Sequence, residues 1–479
     1  MSKLFSTTRI PAIAGKTGTP YLRSFLRRED GNVTIFSLVV ISTLVMLAGI
    51  SYDLKASEMQ RVKIQNVADR AVLAAADLDQ LRDPTEVVED YFTKAGIPQL
   101  ANDIQVSEGL NFRTVSVDSS GTYTPFFMQR FLGIDELPVR SRAEAEERVN
   151  NVEISLVLDI SGSMGWNDKM RNLRDAGNAF VDAVINPATE DLVSISVIPY
   201  AEHVSVGEDI MAEINVGRTH NYSHCIDFDQ SDFERTTIGV NASGVPKQYE
   251  QAQHFFWGST SSNDRSNPVC RYGTHDDIEA FSQNTTFLKD KISRLTPNGN
   301  TSIFLGMKWA AAMLDPTFQP INARLASKGH SDAEFANRPV PYTDITTLKT
   351  VILMTDGQNT SSKRINPSVY QNTSHYAHWN ANSFDWWVNR NVRSNERYLW
   401  STSKYWPDYG DTLLDNICDA AKAKNIVIWS IGFEVTDHSA NVMRNCASSP
   451  SHFFRVEGVQ ITEAFRAIAR QINQLRLTQ

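Results

Sequence analysis

The residues best suited to chemistry lie in three short stretches: Asp159-Ile160-Ser161-Gly162-Ser163, Asn298-Gly299-Asn300-Thr301 and Asp356-Gly357. Asp159, Ser161, Ser163, Thr301 and Asp356 supply two carboxylates and three hydroxyls, an all-oxygen set. Hard donors of this kind suit Mg²⁺ or Mn²⁺, with Ca²⁺ also accommodated. Mg²⁺ takes about six oxygens, so water or a partner's oxygen must complete the shell. Neutral hydroxyls leave the cation short of anionic ligands. A carboxylate from another molecule would therefore bind well at the open position. An EF-hand is excluded, because the twelfth residue counted from Asp159 is Met170, where a bidentate Glu is required.

Enzymatic patterns are incomplete. Ser401-x-x-Lys404 matches one element of the penicillin-recognising enzymes, but Lys-Thr-Gly occurs only at Lys16-Thr17-Gly18, before the apolar run at the N-terminus. There is no H-E-x-x-H and no P-loop, and Ser161-Gly162-Ser163 lacks the first glycine of G-x-S-x-G. The histidines, among them His220, His224, His254, His375 and His378, show no tight metal spacing. A metal-bound water could hydrolyse a substrate, yet no general base is placed beside the five oxygens by sequence. The chain reads as a binding protein rather than an enzyme. A metal-dependent hydrolase is the weakest alternative.

The elements that would position these residues alternate from Asn151 onward. Strands are expected over Val152–Asp159, Leu192–Pro199, Leu348–Thr355 and Ile426–Phe433. Helices are expected over Lys169–Ile185, Asp277–Leu295, Ser302–Leu314, Asp411–Lys424 and Val459–Leu475. That order implies a mostly parallel, doubly wound sheet covered on both faces. Ligands then bind outside the carboxyl ends of the strands, where Asp159 and Asp356 fall. The i, i+2, i+4 spacing lets Asp159, Ser161 and Ser163 converge as the chain turns, and Gly162 eases the turn. Stretches near 201–275, 315–344 and 357–410 break the alternation and read as loop insertions. The last holds Trp379, Trp386, Trp387, Trp400 and Trp406, which form either a small core or a partner surface.

With Asp159-x-Ser161-x-Ser163, Thr301 and Asp356 in this order, the chain resembles the von Willebrand factor A domains and their metal-ion-dependent adhesion site. The resemblance covers about 151–475. It implies that Ser161, Ser163 and Thr301 coordinate directly or nearly so, that Asp159 and Asp356 often act through water, and that a partner Asp or Glu supplies the last ligand.

Val33–Tyr52 carries no charge and is long enough to span a bilayer core at about 1.5 Å per residue. Lys3, Arg9, Lys16, Arg23, Arg27 and Arg28 precede it, which places the N-terminus in the cytoplasm by the positive-inside rule. A cleaved signal would have a shorter apolar core. Asp53–Leu81 and Thr85–Ala95 read as helices and 103–149 as strand-rich, with Thr114–Val117 and Gly121–Pro125 as candidates. Glu29-Asp30-Gly31-Asn32-Val33-Thr34 before the apolar run, and Gln65-Asn66-Val67-Ala68-Asp69-Arg70-Ala71-Val72-Leu73-Ala74-Ala75-Ala76 after it, are similar to the TadE/TadG-like segment of bacterial Flp (tight adherence) pilus assembly proteins. That resemblance implies a single-pass inner-membrane protein facing the periplasm, with pilus assembly components among its partners. A surface adhesin unrelated to pilus assembly is the alternative.

The expected organisation is therefore a tail over 1–32, a membrane helix over 33–52, a stalk and accessory region over 53–149, and the α/β domain over 150–479. A net charge of −9 argues against a nucleic-acid partner. The four cysteines match no zinc pattern. They allow three pairings, of which the local ones, Cys225–Cys270 and Cys418–Cys446, are favoured in an oxidising compartment; four free thiols are the other reading.

Overall fold

The computed structural model describes residues 30–77, 80, 82–108, 112–148, 151–344 and 346–478. The chain divides into two compact units, Met1–Glu147 and Arg148–Gln479.

In the first unit the apolar run continues into the next helix without a break. Helix α1 (Asp30–Ala76) is a single rod of 47 residues, about 70 Å long at the α-helical rise. Its first part is long and apolar enough to cross a membrane. There the large side chains from Val33 to Leu47 are bare on the protein surface. Of the tail expected over 1–32, residues 1–29 lie outside the described residues and 30–32 belong to α1.

Further along, small side chains let other elements approach closely. Ala68, Ala71, Val72 and Ala75 pack with Val88 and Phe92 of α2 (Pro84–Lys94) and with Val115 and Val117 of the sheet. That sheet has the order β1 (Ala101–Glu108), β2 (Phe112–Tyr123), β3 (Leu137–Arg148). On α1 beyond the apolar run, Leu54, Met59 and Val62 are exposed, whereas Ile64 and Ala68 are buried. The segment Gly121–Pro125 is strand only to Tyr123. The chain then turns into a short helix, α3 (Phe126–Leu132), ended by Gly133 in the left-handed conformation at φ 70°.

The second unit is built on six strands: β4 (Asn151–Asp159), β5 (Val193–Tyr200), β6 (Glu279–Ser282), β7 (Thr347–Thr355), β8 (Val427–Phe433) and β9 (Phe453–Val456). Their spatial order is β6-β5-β4-β7-β8-β9, with β6 antiparallel at one edge and the neighbours from β5 to β9 parallel. This is the doubly wound arrangement expected, and its strand order reverses between β4 and β7.

Successive side chains along a strand serve opposite faces, and those two apart share one. Ile154, Leu156 and Leu158 meet α4 (Lys169–Val184), α5 (Thr285–Arg294) and α9 (Gln460–Thr478). Val157, Val351 and Leu353 meet α6 (Ile303–Leu314), α7 (Pro407–Lys422) and α8 (Asp437–Cys446). Helix α6 is buried along its whole length, Lys308 included. The Lys308 ammonium donates to the carbonyls of Arg235 and Thr237 at 2.8 and 3.0 Å, and burial pulls its pKa down to about 7.

Three elements depart from expectation. The helix expected over Asp277–Leu295 is the edge strand β6 followed by α5, which Asn284 caps by accepting from the Phe287 amide. Strand β9 and helix α8 were not anticipated. Both β6 and β9 have four residues, too few for an alternating pattern to stand out.

The amino ends of the strands close on a polar floor. Glu153 and Lys349 face each other across β4 and β7 in direct register and form a buried ion pair. Arg338 donates to the carbonyls of Val152 and Leu192 and to the Ser194 hydroxyl.

The insertions have their own structure. The stretch 201–275 forms a helix (Gly207–Glu213) and a small sheet of Val216–Gly217, Tyr249–Gln251 and Ile226–Asp227. Helix Gln319–Ser327 fills 315–344. The stretch after Asp356 pairs Ser362–Ile365 with Ser401–Tyr405 and adds helices Thr373–Ala381 and Phe384–Asn391; its last residues belong to α7. Trp379 is buried there with Trp387 and Trp400 against it, so these rings build a core. Trp406 is half exposed and stacks on Tyr409. The same core takes in Phe255 and Val269 of the 201–275 stretch. Backbone bonds from Ser383 to Ser262 and from Phe384 to Phe256 stitch the two stretches together. Cys225 is bonded to Cys270 and Cys418 to Cys446, the local pairing.

Candidate metal centre

Strand β4 delivers Asp159 at its carboxyl end and β7 delivers Asp356 one residue past its own, on either side of the point where strand order reverses. Asp159 is fully buried. One carboxylate oxygen accepts from the Ser161 amide at 2.8 Å. The other accepts from the hydroxyls of Thr355 and Tyr200 at 2.8 and 3.3 Å. Hydrogen bonds thus hold both oxygens, which fixes the Asp159 carboxyl in position. A tight turn over Gly162–Gly165 follows, then Asn167 and Asp168 with φ of 54° and 57°. This reversal starts α4 at Lys169.

Four of the five expected residues form one chain of contacts. The Ser161 and Ser163 hydroxyls lie 3.1 Å apart, and Ser163 donates to Asp356 at 2.6 Å. Thr301 is held alongside through its backbone. Gly162 donates to the Gly299 carbonyl at 2.9 Å, and Gly299 adopts φ 93°. A side chain at Gly162 would press on that same carbonyl at 3.2 Å, so glycine suits the close approach. On the other side Thr301 and Thr360 exchange bonds: the Thr301 amide donates to the Thr360 hydroxyl, and the Thr360 amide to the Thr301 carbonyl, each at 2.9 Å. Ser161, Thr301 and Asp356 are almost wholly buried, while Ser163 reaches partial solvent.

Two features escaped the sequence reading. Lys169, ten residues after Asp159, places its ammonium 3.0 Å from the second oxygen of Asp356 and 3.7 Å from Glu434. Glu202, two residues beyond β5, is fully buried and accepts from Asn300 at 2.9 Å, next to Thr301. It also accepts from Trp257 and Ser362, one in each large insertion. Burial pushes the Glu202 carboxyl up. The signal in both cases was a charge near a strand end; its partners lie too far off in sequence to be inferred.

Asp356 and Glu434 bring two carboxyls to the Lys169 ammonium, and Asp159 stands close enough to Asp356 for their charges to interact. Burial, then the charge of Asp356, push the Asp159 carboxyl up to about 7, against the pull of its hydrogen bonds from Ser161 and Thr355. A cation would relieve that repulsion. With neutral hydroxyls between the two carboxylates, the donor set fits a hard divalent ion. Lys404, which raised the Ser-x-x-Lys pattern, pairs with Asp227 at 2.6 Å and belongs to the buried insert network.

Residues 31–78 match the family described as Flp pilus-assembly TadE/G-like. No curated protein sequence is significantly similar to the chain. Among solved structures, the von Willebrand factor domain of the type V pili tip protein Mfa5 from Porphyromonas gingivalis is similar at 16% identity and a TM-score of 0.36, over 69% of this chain and 97% of that one. The pilus adhesin SpaC from Lactobacillus rhamnosus GG shares 13% identity at a TM-score of 0.33, over 78% of this chain; the chain spans 33% of SpaC. A von Willebrand factor type A structure from Catenulispora acidiphila shares 12% at 0.27, over 77% of this chain and 48% of that one. Residues 31–78 of this chain thus match a TadE/G-like Flp pilus-assembly segment, and a doubly wound, mostly parallel α/β unit follows in the sequence.

Proposed function

We propose that this protein is a membrane-anchored, metal-dependent protein-binding module that works in Flp pilus assembly at the bacterial inner membrane, with its α/β unit in the periplasm. Asp159, Ser161, Ser163, Thr301 and Asp356 would hold Mg²⁺, with Mn²⁺ or Ca²⁺ as substitutes. A bound ion of this type offers an open position to a carboxylate oxygen of a partner protein. The supporting observation is the chain of contacts from Asp159 through the two serines to Asp356 at the reversal of strand order. Trp166, three residues past Ser163, is 72% exposed and would give a partner an aromatic contact beside the ion.

Titration calorimetry of the full chain in detergent should show Mg²⁺ binding that Asp159→Ala abolishes. Equal heats in both proteins would sink the metal assignment. Capture of a partner by the wild type that is lost in EDTA would support the adhesion role.

Lys169 sets the affinity. Its ammonium already neutralises Asp356 where the ion would act. Two like charges at such short range repel by a few kcal/mol at an effective dielectric near 20, part of which Glu434 absorbs. Lys169→Met should therefore tighten Mg²⁺ binding by about tenfold, or about 1.4 kcal/mol. Unchanged or weaker binding in that variant would show that Lys169 does not compete with the ion.

A further inference from the structure

Asp53 is the first charged residue after the uncharged run of α1, and it is fully buried. Its carboxylate accepts three backbone N–H groups, from Phe126 at 3.1 Å and from Phe127 and Met128 at 2.7 Å each. These are the opening amides of α3, which an α-helix cannot satisfy internally. Pro125 at the cap position has no side-chain oxygen to do so. Asp53 thus caps α3 from a different helix and pins it to α1.

Packing fixes the same placement. A side chain at Gly49 would come within 2.4 Å of the Phe127 ring, so Phe127 seats where α1 has no side chain. Tyr52 meets Phe127 edge to face at 6.2 Å, and Phe127 meets Phe126 at 5.2 Å.

The outward side of α3 is largely apolar, with Gln129 and Arg130 exposed beside its large side chains. Met128 faces inward, but Phe126 is 70% exposed, Phe131 48% and Leu132 49%. The start of α3, from Phe126 to Met128, meets α1 between Gly49 and Asp53, level with the last turn of the uncharged run. On α1, Val45, Leu47 and Tyr52 are exposed as well. Charges begin just beyond, at Lys55 and Glu58. That level is the boundary between acyl chains and headgroups, where aromatic side chains collect. At seven residues, α3 is about 10 Å long, too short to cross and suited to lie along the interface.

We propose that α3 is a second membrane-binding element, an interfacial helix that inserts Phe126, Phe131 and Leu132 into the periplasmic leaflet and is held at that depth by Asp53. The inference rests on the reading that Val33–Tyr52 crosses the membrane. It makes the anchor a two-part device: one helix spans, and a second fixes depth and rotation.

All four native cysteines are disulfide-bonded, so a new thiol can be labelled selectively. The full chain is placed in lipid nanodiscs with an environment-sensitive dye on Phe131→Cys, or on Leu44→Cys as the spanning control. Lipids with a quencher near the headgroup should quench the position-131 dye, and iodide in solution should not. Lipids with a quencher deep in the chain should quench the position-44 dye. Asp53→Asn should lower the shallow quenching at position 131 by about twofold or more, with position 44 unchanged. A position-131 dye open to iodide and untouched by lipid quenchers, with position 44 still quenched, would overturn the interfacial helix and leave the anchor standing. Lipid quenching at neither position would overturn both.

Discussion

Glu153→Ala should lower the free energy of unfolding by about 3–5 kcal/mol, the range for removing one partner of a buried ion pair. The pair joins the two strands that carry Asp159 and Asp356, at their opposite ends. Glu153 is fully buried; besides Lys349 it accepts from the Val340 amide at 2.8 Å. Lys349 also donates to the Leu314 carbonyl at 3.0 Å, and burial holds its ammonium below the usual lysine range despite Glu153. Without Glu153 that buried ammonium is left with one carbonyl as its hydrogen-bond partner. Urea denaturation of the second unit at neutral pH measures the loss. Replacing both residues by methionine should recover most of it, because no buried charge then remains. A loss under about 1 kcal/mol in the single variant would mean that water reaches the pair.

Acid should weaken the fold well above the pH at which carboxylates protonate. His220 and His254 are nearly fully buried, with rings 5.8 Å apart. Burial first, then neighbouring positive charge, lowers each to about 4. In the unfolded chain both return to about 6.5. A base whose folded pKa is depressed contributes its full stability above the unfolded value. That contribution falls as pH drops from about 6.5 to about 4, because the unfolded chain binds more protons. Each site is worth about 3 kcal/mol over that window at about 1.4 kcal/mol per unit. Their coupling makes the sum smaller than twice that. Stability measured at pH 7.5, 5.5 and 4.5 should fall steadily, and replacing both histidines by glutamine should flatten the profile. An unchanged slope in the double variant would place the acid sensitivity elsewhere, for instance at His203, whose imidazole burial holds below the usual range.

Much of the α/β scaffold was legible because its central strands are long and apolar. Val152–Asp159 and Leu348–Thr355 lie within a residue of the observed strands. The edges were not. Glu279–Ser282 and Phe453–Val456 are short, each pairs with only one neighbouring strand, and Ala280-Phe281 reads as readily into the helix that follows. Asp159, Ser161 and Ser163 stood out because the Asp-x-Ser-x-Ser turn is local, and Asp356 because it follows a long apolar strand. Lys169 was close in sequence yet illegible, since its meaning depends on Asp356, 187 residues away. The shared core of the inserts was hidden for the same reason: Phe255 and Trp379 give no local sign that they meet.

That shared core bears on inheritance. Phe255 and Val269 come from one insert and Tyr370, Trp379 and Phe384 from the other, with α6 and β7 between them in the chain. Neither insert closes its core alone. A recombination crossover between the two would leave both halves with open apolar surface, so exchange among related genes would succeed only when it carries both segments together. Grafting these inserts onto another α/β scaffold carries the same requirement: the pair is the smallest portable unit.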